Sequence, residues 1–287
     1  LMTERGTFIV DGVERVAISQ LIRSPGAFFT ASWIRGKKYF GAKIIPNRGA
    51  WLEMEIEPAG FISVKIDRKR KTSITTLLRA LGIEKNESLI DAFSDIDKDS
   101  KYIQESLKKD FTHSQAEAFV EIYANLRPGD LASPETAKEL IENMFYNFER
   151  YDLSKVGRWR LAQRLPELKE RFEKRKWSKG KEDITTKDRV LRLEDVLATV
   201  REVIRLNNDP QAAADQIDHL GNRRVRTFSE LLQNRLRLGL MRMERFIRDK
   251  ISVLDKEDLT PNQLINPKPF MAVIKEFFTS SQMSQFM

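Results

Sequence analysis

The spacing of hydrophobic and polar positions changes character near residue 73, from short β-like runs to helical periodicity. Phe8-Ile9-Val10 and residues 13–18 are rich in β-formers and flank Asp11-Gly12, the pair a type I′ turn prefers, which predicts a hairpin. Ser24-Pro25-Gly26 marks a tight turn. Between residues 39 and 67 a small sheet is expected. Residues 39–45 are strand-like, Leu52, Met54 and Ile56 alternate with Glu53, Glu55 and Glu57, and Ile62, Val64 and Ile66 alternate with Ser63, Lys65 and Asp67. Pro58-Ala59-Gly60 is the natural turn between the last two strands.

Helices follow. Residues 74–81 form the first, closed by Gly82 at the usual C-terminal position. Residues 114–126 carry Phe119, Ile122, Tyr123 and Leu126 on one face and stop at Arg127-Pro128-Gly129. Ser133-Pro134-Glu135 combines an N-cap, a first-turn proline and an acidic first turn, opening a helix through Leu140, Ile141, Met144 and Phe145. Residues 193–206 are the next, ended by Asn207-Asn208-Asp209-Pro210. The polar stretch 210–226 reads as a crossing between domains. Beyond it lies a long amphipathic helix with Phe228, Leu232, Leu236, Leu240, Met243 and Ile247 as its stripe, then short helices at 260–263 and 269–278.

Composition narrows the function classes. A chain of 287 residues, 41% of them hydrophobic, suffices for two packed domains. No run of about 18 apolar residues occurs, and the start has no apolar core for a signal peptide, so neither membrane insertion nor secretion is expected. The absence of cysteine excludes disulfides, Cys-ligated zinc and thiol nucleophiles, and fits a reducing cytosol. The net charge of +8 favours a polyanion only if it is concentrated. Arg68-Lys69-Arg70-Lys71 is the clearest cluster, followed by Arg223-Arg224-Val225-Arg226 and by residues 169–181, where both signs mix. Residues 161–181 read as an exposed linker or a coiled-coil arm.

No catalytic signature is present: no phosphate loop, dinucleotide turn, His-Glu-x-x-His or Gly-x-Ser-x-Gly. Asp95, Asp97 and Asp99 alternate as in a calcium loop but lack its glycine and terminal glutamate, so a helix boundary is the expectation there and no metal site is assigned.

Ile9-Val-Asp-Gly-Val-Glu-Arg-Val-Ala-Ile-Ser-Gln-Leu-Ile-Arg-Ser-Pro-Gly-Ala-Phe-Phe29 resembles the protrusion of the bacterial DNA-directed RNA polymerase β subunit. In family order follow Ile44-Ile-Pro-Asn-Arg-Gly-Ala-Trp-Leu52, Ile66-Asp-Arg-Lys-Arg-Lys71, Leu126-Arg-Pro-Gly129 and Arg150-Tyr-Asp-Leu-Ser-Lys-Val-Gly-Arg158. Then come Ile217-Asp-His-Leu-Gly-Asn-Arg-Arg-Val-Arg226, Leu264-Ile-Asn-Pro-Lys-Pro269 and the stretch from Ile274 to Met287, which resembles the opening of the rifampicin-binding segment. Starting at Leu1 and stopping inside that segment, the chain is expected to be a piece of a subunit several times longer. The short stretch 82–113 resembles compact versions of the lobe, and Ile22, Ala27 and Met283 replace the more usual His, Val and Leu of their motifs.

The resemblance implies an α+β fold: a mixed helical and antiparallel-sheet lobe (residues 31–212) inserted into a discontinuous protrusion (1–30 and 213–287, the latter with the start of the rifampicin segment). It implies a part of a nucleotidyltransferase that holds downstream duplex and non-template strand in transcription, in the bacterial cytoplasm at the nucleoid. The piece itself would be inactive, with no catalytic residue and no cofactor. The enzyme's Mg2+ would be bound by the β′ subunit. Trp51 would stack on an unpaired non-template base, although without the resemblance it reads as a core residue. Asp67, Ile217, Asp218 and Arg223 would wall a pocket for one flipped guanine, with Asp218 otherwise a helix cap or a partner of Arg224. Arg68 and Arg127 would meet strand phosphates, surface salt bridging being the plainer alternative. Ala27, Ser281, Gln282, Met283, Ser284, Gln285 and Phe286 would contribute to the rifampicin pocket beside the nascent RNA, Phe286 being equally a core candidate. Partners would be DNA, nascent RNA, β′, α and σ. The alternative is a structural interaction module contacting other subunits and σ, with little DNA affinity of its own.

Overall fold

The first β-formers fold back on themselves as their turn dictates: β1 (Phe8–Val10) pairs antiparallel with β2 (Val13–Ala17), Phe8 opposite Arg15 and Val10 opposite Val13. Asp11 and Gly12 between them have φ of 50° and 80°, the left-handed pair of a type I′ turn. The computed structural model describes residues 2–97, 101–131, 133–169, 184–253 and 260–279, and the backbone of 284–286. Its contacts divide the chain into two units, Ser24–Ile217 and the paired segments Leu1–Arg23 and Asp218–Met287.

In the larger unit a five-stranded antiparallel meander runs β4 (Gly26–Ile34), β5 (Lys37–Ile45), β6 (Leu52–Ile56), β7 (Ile62–Ile66) and β8 (Lys71–Ser73). β6 and β7 obey the expected two-residue period: Leu52, Met54, Ile56, Ile62, Val64 and Ile66 are all buried, and Gly60 N–H closes the intervening turn on the Glu57 carbonyl at 2.8 Å. β4 was not legible as a strand. Ala27, Phe28 and Phe29 are consecutively buried, so no polar-apolar alternation announces it.

The helices of this unit whose two ends lie among the described residues include α1 (Ile74–Ala80), α2 (Asn86–Asp91), α3 (Lys101–Leu107), α4 (Gln115–Leu126), α5 (Pro134–Phe145), α6 (Ser154–Arg164) and α7 (Leu193–Asn208). Ser133 caps α5 as expected, its hydroxyl accepting from the Thr136 N–H, and Ser114 caps α4 in the same way through the Glu117 N–H. One continuous core joins sheet and helices, including Phe29, Leu52, Leu77, Phe93, Phe145, Tyr151 and Val200. Two ion pairs are buried in it. Arg79 reaches Asp110 at 3.4 Å. Arg158, on α6, donates to Asp195 and to the carbonyls of Asp188 and Val190, and so ties α6 to the start of α7.

The smaller unit holds β3 (Gln20–Arg23) paired with β9 (Arg223–Arg226), so the polar stretch read only as a crossing ends in a strand. After it come α8 (Phe228–Val253), α9 (Pro261–Leu264) and α10 (Lys268–Thr279), and β10 (Ser284–Phe286) adds to β2. Phe8, Phe228, Phe277 and Phe278 form a ring cluster with centroid separations from 4.7 to 6.5 Å. The face of α8 turned to α10 is not the expected stripe. Leu231 and Gly239 are its buried residues, and Phe270 of α10 fits against Gly239, where an added Cβ would lie 3.0 Å from the ring. Of that stripe Phe228 also meets Phe277 and Phe278 of α10, while Leu232, Leu236, Leu240, Met243 and Ile247 continue from it along an open groove of about 780 Å³.

Replacing Arg158 by leucine leaves the buried Asp195 carboxylate without its cation, and is expected to cost about 3–5 kcal/mol. Lys138→Ala, which breaks the exposed pair with Glu142, is expected to cost less than about 0.5 kcal/mol. Thermal unfolding of the two variants checks the contrast.

Candidate nucleic-acid interface

Trp51 is held by a loop that another part of the larger unit grips from below. Between β5 and β6, the Asn47 and Arg48 N–H groups donate to the Asp152 carbonyl at 2.8 and 3.1 Å, and the Asp152 N–H returns a bond to the Arg48 carbonyl at 2.8 Å. Asp152 is itself clamped, its carboxylate accepting two bonds from Arg189 at 2.9 and 2.6 Å. Gly49 completes the grip. At φ +120° it sits so close to the neighbouring segment that a Cβ would fall 2.7 Å from the Tyr151 ring and 3.0 Å from the Arg150 carbonyl. Two of the motifs, Asn47-Arg48-Gly49-Ala50-Trp51 and Arg150-Tyr151-Asp152, are thus one structural feature.

The β7–β8 turn lies alongside. Its Asp67 N–H donates to the Trp51 carbonyl at 2.8 Å, and Lys69 N–H closes the turn on Ile66 at 3.0 Å. Asp67 and Arg68 occupy the left-handed region, φ 50° and 60°, where Asn-Gly is the relaxed choice. Side chains there cost roughly 1–2 kcal/mol per residue. The outcome is a tight turn presenting Asp67, Arg68, Lys69 and Arg70 to solvent beside a half-buried indole. The Arg68 guanidinium carbon lies 4.9 Å from the Trp51 ring centroid, and Arg68 Nε is 4.0 Å from Glu53 Oε1. Glu53 is nearly buried and also accepts from Lys43 at 3.1 Å.

The four basic residues of the turn are not equivalent. Lys71 is bonded to Glu57 and lies 3.5 Å from Glu55, and the Glu57 bond holds its ammonium above the usual lysine range. Burial pushes Glu57 up, but bonds from Lys71 and Ser63 outweigh it and leave the carboxyl below its ordinary value. Lys71 is therefore neutralised within the sheet. Among the described residues no carboxylate pairs with Lys69 or Arg70, so the free positive charge sits at the tip.

The remaining expected residues are distributed. Arg127 ends α4 and is exposed, its guanidinium 5.7 Å from the Tyr123 ring rather than on the Trp51 cluster. Ile217 is the last residue of the larger unit, while Asp218 and Arg223 belong to the smaller one. Asp218 is exposed, and Arg223 Nη2 donates to the Leu21 carbonyl at 3.2 Å. Arg224 is bonded in a two-pronged pair to Glu230, which answers for its charge without Asp218. Ala27 is buried in β4 opposite Ile44. Ser281, Gln282 and Met283 lie outside the described residues. Ser284, Gln285 and Phe286 form β10, opposite Ala17, Val16 and Arg15.

Glu53 was missed as a site residue, since in the sequence it is one of three alternating glutamates on a strand. Its distinction is to be the one nearest the tryptophan. No group of three or more His, Cys, Asp or Glu capable of holding a metal occurs among the described residues. Asp97 instead caps α3, accepting from the Tyr102 and Ile103 N–H groups at 3.3 and 3.0 Å, and Asp95 pairs with Arg201. Asp99 lies outside the described residues, and no described helix is long and apolar enough to cross a membrane.

A family model described as RNA polymerase Rpb2, domain 2, matches residues 24–226, starting where the larger unit starts and ending at the last residue of β9. The chain is 46% identical over 288 residues to the DNA-directed RNA polymerase subunit beta of Syntrophomonas wolfei, and 43% over 288 residues to that of Gloeobacter violaceus. With the same subunit of Streptomyces coelicolor it shares 42% over 300 residues. Each comparison covers all of this chain and 24% of the relative, so the chain spans about a quarter of their length.

Gly49→Ala is expected to cost about 2–4 kcal/mol, the left-handed backbone plus the collision with Tyr151. Gly36, at φ +76° with nothing within 4 Å of where a Cβ would stand, supplies the control: Gly36→Ala should cost only about 1 kcal/mol. At about 2–4 °C per kcal/mol, thermal melts separate the two.

Proposed function

Because this chain belongs to the family of bacterial DNA-directed RNA polymerase β subunits, we propose that it is a DNA-holding part of that enzyme, gripping the displaced non-template strand and the downstream duplex. In this reading residues 31–212 are the lobe, and residues 1–30 with 213–287 are the protrusion that the lobe interrupts. The observation that carries the proposal is the half-buried Trp51 beside an exposed turn of unneutralised cations.

Single strands are held by two kinds of group, aromatic faces for bases and cations for phosphates. Trp51 supplies the first, and Arg68, Lys69 and Arg70 the second. Arg127 adds a further phosphate contact. Asp67, on the same exposed turn, supplies a carboxylate that can accept from the N–H groups of one extruded guanine. Residues 281–286 belong to the rifampicin segment and border the nascent RNA. Nucleotidyl transfer belongs to the assembled enzyme, with Mg2+ held by β′, and the assembly works in the bacterial cytoplasm with α and σ. Chemically, this chain's own residues stack, pair and neutralise; none is offered as a proton carrier or nucleophile.

A second reading, an interaction module that contacts the other subunits and has little affinity for DNA, is favoured by the apolar groove on α8. Fluorescence anisotropy with single-stranded DNA at low salt separates the two. Under the first reading the chain binds, Trp51→Ala weakens binding about five-fold or more, and Lys69→Ala and Arg70→Ala each reduce the salt slope by about 0.7. Absence of binding at low salt, or a Trp51→Ala variant that binds unchanged, rejects it in favour of the module. The chain by itself is expected to make no RNA in a template-directed assay.

A further inference from the structure

We propose that in the free protein Arg68 is parked on Trp51, positioned there by Glu53, so that an incoming base and the guanidinium compete for the same indole. The inference rests on reading Trp51 as the strand's stacking residue. It goes beyond that reading by making stacking and phosphate contact a single coupled event.

Three restraints converge on Arg68. The backbone is set by the turn, whose Asp67 N–H is bonded to the Trp51 carbonyl at 2.8 Å and whose Arg68 sits at φ 60°. The guanidinium carbon lies 4.9 Å from the indole centroid, inside the roughly 6 Å range of a cation–π contact. Glu53 stands two residues from Trp51 in sequence, and its Oε1 lies 4.0 Å from Arg68 Nε, within ion-pair range. Yet the Arg68 side chain remains 72% exposed, so nothing encloses it.

Glu53 is what makes this arrangement reversible. Its carboxylate is only 9% exposed and would be costly to leave unpaired, but Lys43 already bonds it at 3.1 Å. When Arg68 departs, Glu53 keeps a cation, and no buried charge is orphaned. An exposed cation–π contact is worth about two- to five-fold in affinity, whereas a stacked base is worth about five- to 150-fold. The base therefore wins the indole. The displaced guanidinium stays tethered beside the strand, next to Lys69 and Arg70, where the phosphate of the stacked nucleotide is its nearest counter-ion.

The test uses the 287-residue chain with Trp33, Trp159 and Trp177 changed to phenylalanine, leaving Trp51 as the sole indole. In the absence of nucleic acid, Arg68→Gln should raise quenching of Trp51 by acrylamide. Glu53→Gln should raise it part of the way, and the double variant should match Arg68→Gln alone, because the two residues act through one contact. Unchanged quenching on Arg68→Gln overturns parking, and additive effects overturn the role of Glu53. Two oligothymidylates of equal length, one with phosphodiester linkages and one with neutral methylphosphonate linkages, then test the competition. Arg68→Gln should weaken the charged strand yet tighten the neutral one by about two- to five-fold. A neutral strand bound no more tightly overturns the competition. If Trp51→Ala alters neither strand's binding, the stacking reading itself has failed, an outcome that the quenching result identifies separately.

Discussion

The position of one indole depends on a backbone handclasp between two distant stretches of sequence. Asn47 and Arg48 pair with Asp152, Arg189 clamps the Asp152 side chain, and Gly49 allows the two chains to meet at a separation no side chain tolerates. β6 begins immediately after that loop, so the same contact sets where Trp51 emerges and, through the Asp67 bond, where the basic turn lies. The 150–153 segment is in turn fixed by the core, with Tyr151 and Leu153 fully buried and the Arg158–Asp195 pair joining α6 to α7. Burial pushes the Tyr151 phenol far above the normal tyrosine range, so it stays neutral and acts as packing. The rigidity of a nominal loop residue is thus borrowed from helices that lie far from it in sequence.

Charge on the outer face of the sheet follows a rule that explains why the turn stands out. Lys43, Glu53, Lys65 and Lys71 fall in register across four strands, and the three lysines pair with Glu53, Glu55 and Glu57 along the sheet. Cross-strand pairs of opposite sign stabilise a sheet modestly and cancel its field. What remains uncancelled among the described residues is the tip that leaves the sheet, Lys69 and Arg70, with Arg68 only loosely paired to Glu53. The excess of +8 over the whole chain is a poor guide to this, because the cancellation is geometric and invisible to a sum.

Much of the architecture was legible from local chemistry. Asp11-Gly12 made its hairpin, Ser133-Pro134 opened its helix, and the alternation in β6 and β7 marked the buried face, because each of these signals acts within a few residues of itself. Failures came where tertiary contact decides. β4 is buried on both faces over its first four residues and lost its alternation there, and β9 becomes a strand because β3 is there to pair with it. On α8 the stripe is apolar as its spacing implies, but the helix packs through Leu231 and Gly239, since a glycine admits Phe270 more closely than any leucine could. For the site, the candidate residues were singled out through the family resemblance, not through any local pattern. Glu53 was unreadable even then, as nothing in an alternating glutamate series tells which carboxylate will meet Arg68.

A hairpin needing two left-handed residues is most cheaply made with Asn-Gly, and at the β7–β8 turn it is made with Asp-Arg, at a cost of order 1–2 kcal/mol for each. Strain of this kind persists where the surroundings over-determine it, and the Asp67–Trp51 bond together with the Ile66–Lys69 closure does so here. A glycine in place of Arg68 would relax the backbone and remove both the cation over Trp51 and the partner of Glu53. Stability alone therefore argues against arginine at this position, and the contact it makes with the indole argues for it. The same two residues that make the turn expensive are the ones that give the loop its carboxylate and its movable positive charge.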